Sequence, residues 1–236
     1  MDAVSRISFP SGARSLVGEL IEPPRDPGGG AGNSGAGLLF VHGYASDRRG
    51  YSARAVEISE HLRFTCLAFD LGGHGDSPGR LRDMTRQDHL QDVVAAYDVL
   101  ASADGVDPRR VGVCAASYGA YISCLLLGER LVKRLMLRAP ALYVDGDPAD
   151  PDGSRNHLRE LIDADSALHN LRQFNGETLI LESERDEVIP RSSITAYVTN
   201  ARHPTHRILE GATHALVQPE LRAAFLDEIL VWFRDL

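Results

Sequence analysis

Short apolar runs alternate along this chain with longer stretches of helical period. Strand-like runs fall at residues 38–42, 65–69, 111–114, 134–137, 178–181 and 206–209. Between and after them, apolar residues recur every three to four positions at 51–62, 86–102, 118–127, 191–199 and 219–233, the spacing of one helix face. Residues 7–9 and 15–22 read as an antiparallel pair around the Pro10-Ser11-Gly12 turn. Short, continuously apolar strands separated by helices predict an α/β fold: a mostly parallel sheet of about eight strands, covered by helices on both faces.

Two segments break the rhythm. Residues 23–37 are rich in glycine and proline and read as a surface connection between two strands of one domain. The stretch between Pro140 and Thr178 lacks a strand, and helical patterns at 156–162 and 166–173 suggest a short cap at about 140–177. The expectation is a single domain over residues 1–236 carrying that minimal cap, with no internal repeat.

Composition narrows the function classes. Apolar content of 43% and charged content of 25% are ordinary globular values. A net charge of -8 argues against nucleic acid or an anionic membrane as partner. No run approaches the roughly 18 apolar residues of a membrane span, and the first residues lack a signal-peptide layout. The three cysteines, Cys66, Cys114 and Cys124, lie in apolar elements; they read as buried free thiols, which fits a reducing cytoplasm. No metal and no cofactor are expected. The aspartate-rich stretch 145–165 reads as a solvated loop followed by helix, not a metal site.

The chemistry gathers just after the strands, where open sheets of this kind bind ligands. Val111 to Cys114 lead into Ala115-Ala116-Ser117-Tyr118-Gly119, with a helical pattern directly behind. A serine on a sharp strand-to-helix turn needs small neighbours two positions away on each side; Ala115 and Gly119 meet that need. Asp186 follows the strand ending at 181, His214 follows the strand ending at 209, and His42-Gly43-Tyr44 closes the strand at 38–42. A serine hydroxyl is a weak nucleophile without an adjacent base. His214 is the candidate base for Ser117, and Asp186 the candidate partner for the other imidazole nitrogen. Glu182, Glu184 and Glu187 share the loop with Asp186 and compete for that role. His42 and His74 also follow strands on this edge, and His203 and His206 read as surface or strand positions.

The order Ser, Asp, His along the chain, the elbow at Ser117, and Asp70-Leu71-Gly72-Gly73-His74-Gly75-Asp76-Ser77 together resemble the α/β-hydrolase superfamily. Within it the chain looks like the compact dienelactone-hydrolase-like and small carboxylesterase members, with serine where dienelactone hydrolases carry cysteine. Val188-Ile189-Pro190 resembles the family's pattern after its acid and favours Asp186. The resemblance implies an oxyanion hole from the backbone N–H groups of Tyr44 and Tyr118. It further implies a small-molecule acyl substrate cleaved through a Ser-His-Asp triad, most simply by a carboxylesterase. A peptidase or amidase, an acyltransferase, or a non-catalytic binding protein on the same scaffold are the alternatives. Leu142, Tyr143 and Arg138, at the root of the cap segment, are the candidate pocket residues, with Arg138 able to meet a substrate carboxylate or an internal acid.

Overall fold

The computed structural model describes residues 4–24, 33–143 and 166–236. Eight strands form one sheet: β1 (Val4–Ser11), β2 (Arg14–Ile21), β3 (Gly37–Val41), β4 (Thr65–Phe69), β5 (Val111–Ala116), β6 (Arg134–Arg138), β7 (Glu177–Ser183) and β8 (Pro204–Leu209). Among the described residues six helices accompany them: α1 (Arg49–Leu62), α2 (Arg86–Ala101), α3 (Tyr118–Leu126), α4 (Ser166–Gln173), α5 (Arg191–Asn200) and α6 (Pro219–Phe233). The strand order is β1-β2-β4-β3-β5-β6-β7-β8. β2 runs antiparallel to both β1 and β4, and the remaining pairs are parallel.

The sequence explains where the sheet is solid and where it thins. Every residue of β3, β4 and β5 is buried, as continuous apolar runs in a doubly covered sheet require. Their side chains alternate between two cores. Leu39, Val41, Val113 and Ala115 face one core with α2, α3, α4 and α5; Leu38, Phe40, Cys114 and Ala116 face the other with α1 and α6. The edges differ. β1 is exposed along its first half, and β8 opens on Pro204, tolerable only where no ladder donor is needed. Both strands are longer than the apolar pattern suggests, because an edge strand pairs through its backbone while its side chains stay wet.

Local chemistry fixes the start of α2. Thr85 accepts from the Asp88 N–H at 3.1 Å while Asp88 accepts from the Thr85 N–H at 3.0 Å, a reciprocal cap for α2. α4 matches its expected span and buries Ala167, Leu168 and Leu171. The other expected cap helix, 156–162, and the aspartate-rich stretch lie outside the described residues. The three cysteines are free and buried. Among the described residues no helix is long and apolar enough to cross a membrane.

Candidate active site

The elbow forms where the apolar run of β5 ends. Ser117 adopts φ 52° and ψ -121°, a left-handed conformation that costs a side-chain-bearing residue of order 1–3 kcal/mol. The surroundings hold it there. Its N–H donates to the Arg138 carbonyl at 2.9 Å, and its carbonyl accepts from Ala120, Tyr121 and Ala141. Neighbouring β6 and the first turn of α3 therefore clamp both sides of the strained peptide. Gly119 sits where the helix start meets the end of β3: a Cβ there would lie 2.3 Å from the His42 carbonyl oxygen and 2.6 Å from that of Val41.

Asp186 and His214 meet as their positions after β7 and β8 allow. His214 Nδ1 lies 2.9 Å from Asp186 Oδ2. Asp186 Oδ1 accepts from the backbone N–H groups of Val188 and Ile189 at 2.9 and 2.8 Å, which fixes the carboxylate independently of the histidine. Burial opposes ionisation of Asp186, but the hydrogen bonds from His214 and these amides outweigh it and hold the carboxyl below its ordinary value. The competing acids are engaged elsewhere or exposed. Glu182 meets His206 and Arg191, Glu184 accepts from the Gly211 N–H, and Glu187 lies in solvent.

Ser117 and His214 both line one cavity of about 710 Å³. No hydrogen bond joins the Ser117 hydroxyl to a described residue. In an empty site such contacts are commonly loose and tighten only around substrate. With Nδ1 turned to Asp186, Nε2 is the imidazole nitrogen left to exchange a proton. Gly43 lies close to Ser117, with a Cβ there 3.3 Å from Ser117 Cβ, and Tyr44 follows it on the cavity wall. Tyr118 contributes the first N–H of α3, one of the amides that no carbonyl within the helix can accept.

Of the three expected pocket residues, Arg138 lines this cavity, and Leu142 and Tyr143 do not. Sheet sidedness is the cause. The cavity opens on the α1 and α6 side, whereas the chain after β6 turns to the α3 side. There Tyr143 packs edge-on against Tyr118 and Tyr121, at 5.6 and 5.1 Å between ring centres, and Leu142 joins the same core. Sequence reasoning missed Arg54 and Tyr51 on α1 and Arg222 and Phe225 on α6, all of which line the cavity. Their approach is a tertiary fact that neither helix signals alone.

Three further histidines, His42, His74 and His89, brace the loops. His42 is almost fully buried; its Nε2 accepts from the Leu71 N–H at 3.1 Å, so its Nδ1 carries the proton donated to the Gly43 carbonyl at 2.8 Å. One neutral tautomer satisfies both contacts. Burial, with the nearby His74 adding to it, pushes its pKa down to about 4. His74 and His89, in ring contact with each other beside it, are also lowered, chiefly by burial. Asp70, fully buried, pairs with buried Arg48 and caps the Asp76 N–H, which fixes the turn that follows β4.

These histidines set a pH dependence. Between pH 6.5 and about 4 the unfolded chain protonates at His42 while the folded chain does not, so stability is complete above pH 6.5 and falls as pH falls through that window. The loss from His42 alone is roughly 3 kcal/mol by pH 4, and His74 and His89 add in the same direction. Urea unfolding at pH 7.5 and pH 5 is expected to give a clearly lower midpoint at pH 5; equal midpoints would contradict buried neutral histidines.

The fold is shared with known proteins. Residues 38–175 match the model of the alpha/beta hydrolase family. An uncharacterized protein of Mycobacterium tuberculosis is 27% identical over 192 residues, which is 81% of this chain and 66% of that protein's length. Among solved structures, Est1E from Butyrivibrio proteoclasticus with bound ferulic acid superposes with a TM-score of 0.73 at 18% identity, covering 96% of this chain and 98% of that one. The Pyrococcus furiosus esterase Pf2001 gives 0.69 at 19% identity over 98% and 93%. With a family match over more than half of its length and this strand order, the chain belongs to the alpha/beta hydrolase family.

Proposed function

We propose that this protein is a serine hydrolase that cleaves small acyl esters, a carboxylesterase, with Ser117 as nucleophile, His214 as general base and acid, and Asp186 as the group that orients the imidazole. The observation that carries the reading is the 2.9 Å His214–Asp186 contact beside a cavity that also holds the strained Ser117. The esterases among its structural neighbours are consistent with it.

The geometry suits a two-step acyl transfer. His214 Nε2 takes the Ser117 proton as Oγ adds to the ester carbonyl, and Asp186 stabilises the imidazolium. The negative oxygen of the tetrahedral intermediate is received by the N–H groups of Tyr118 and Tyr44; such a donor is worth roughly 10²–10³ in rate. Collapse breaks the carbonyl–alkoxy bond, and the alcohol leaves with the proton held on His214. Water, deprotonated by the same nitrogen, then adds to the acyl-enzyme; the acid departs and Ser117 recovers its proton. The cavity size falls within the range that encloses small molecules.

The assay is hydrolysis of short p-nitrophenyl esters by the wild type and by His214→Ala and Asp186→Asn. Asp186→Asn keeps the side chain's shape and its two amide contacts through Oδ1, but its NH₂ group favours the wrong imidazole tautomer. Its kcat is expected to fall roughly 10³–10⁴-fold with little change in stability. Turnover unchanged in both variants would remove Asp186 and His214 from the mechanism.

A further inference from the structure

Acids outnumber bases in this chain, 33 to 25, and its less exposed arginines are generally met by carboxylates: buried Arg48 by Asp70, Asp76 and Glu19, half-buried Arg14 by Asp88 and Asp92. The two least exposed arginines lining the Ser117 cavity differ. Arg138 is 8% exposed and makes no ion pair with a described acid. Its Nη1 donates to two neutral oxygens, Ser183 Oγ at 3.1 Å and the His214 carbonyl at 3.0 Å, and its buried Nε has no hydrogen-bond partner. Arg54, on α1, donates Nη1 to the Gly50 carbonyl, and its Nε is likewise buried without a partner. Both guanidinium groups lie against one ring, Phe225, at 5.6 and 5.1 Å from its centre.

The acids on the same wall do not compensate them. Asp47 is taken by Arg49, and Glu57 is exposed and paired with neither arginine. Burial, and then the like charges of Arg138 and Arg222, hold Arg54 below its ordinary value. Cations withdrawn from water without a counter-charge are costly, and the cost is recovered when an anion arrives. Each guanidinium keeps an Nη2 that is not buried and makes no hydrogen bond to a described residue, a charged donor left for an anion.

We propose that Arg138 and Arg54 form a carboxylate subsite, so that the preferred substrates are esters bearing a free carboxylate near the scissile bond. This rests on the hydrolase reading of the same cavity. Neither arginine touches the reacting atoms: they select and position the substrate, and the preference appears in KM more than in kcat.

Two matched pairs of esters test it. Mono-p-nitrophenyl glutarate against p-nitrophenyl valerate places the charge on the acyl side; 4-butyryloxybenzoate against its methyl ester places it on the leaving group. The wild type is expected to favour the anion by tenfold or more in kcat/KM in at least one pair. That ratio, taken within each variant so that lost folding or triad alignment cancels, is expected to fall at least fivefold in Arg138→Gln and in Arg54→Gln, and to be largely retained in Arg54→Lys. Equal rates within both pairs, or a ratio unmoved by both glutamine variants, would overturn the subsite alone. No hydrolysis of any of the four esters would contradict the hydrolase reading and take the subsite with it.

Discussion

Ser117→Ala is expected to lower kcat for short p-nitrophenyl esters by roughly 10⁴–10⁶-fold, because covalent catalysis ends and only binding and oxyanion stabilisation remain. The size of the effect follows from the roles. With no Oγ to accept the acyl group, the His214–Asp186 pair has no protein hydroxyl to deprotonate, and the carbonyl must be attacked by water directly. The folded structure has little reason to change. The Ser117 hydroxyl makes no hydrogen bond to a described residue, and the clamps on residue 117 come from its backbone N–H and C=O. Alanine leaves both in place while bearing the same left-handed strain. Thermal or urea unfolding should therefore show wild-type stability within about 0.5 kcal/mol, which separates lost chemistry from lost fold. A variant retaining more than about a tenth of wild-type kcat would mean that another group carries the reaction.

Gly119→Ala is expected to do the reverse and damage the fold at the site. Propensity alone favours the change, since alanine in a helix is about 1 kcal/mol better than glycine. The close approach decides otherwise. A Cβ at 119 would lie 2.3 and 2.6 Å from two backbone oxygens of residues 41 and 42, where the fully buried β3 ends and the chain turns toward Gly43. Backbone oxygens there cannot swing aside as a side chain would. The start of α3 must retreat, carrying the Ser117 peptide away from Gly43 and Tyr44. We expect a loss of about 3 kcal/mol or more, at the upper end of overpacking costs, and at least 10²-fold lower kcat in the protein that still folds. Denaturant midpoints with single-turnover rates on the folded fraction read both. Unchanged stability would show that the elbow is looser than these contacts indicate.

The two predictions also mark what could be read in advance. The central strands were legible because burial on both faces demands unbroken apolar runs, and the small residues around Ser117 were legible because a strained turn excludes large ones. Asp186 stood out from three neighbouring glutamates through the Val188-Ile189-Pro190 that follows it, and the structure gives the reason: the amides of 188 and 189 bind its second oxygen. The ends of β1 and β8 were hidden because edge strands keep exposed side chains. Leu142 and Tyr143 follow β6 and so invite a pocket reading, but the side of the sheet on which a loop descends depends on packing between distant elements. For the same reason Arg54 and Phe225 carry no local mark: helices α1 and α6 meet at the cavity from opposite ends of the chain.

The most direct measurement is covalent labelling with a fluorophosphonate, followed by mass spectrometry of the digested protein. One phosphonyl adduct is expected, on the peptide containing Ser117, stoichiometric in the wild type, absent in Ser117→Ala and greatly slowed in His214→Ala. Unlabelled wild-type protein, or an adduct on any other residue, would contradict Ser117 as the nucleophile.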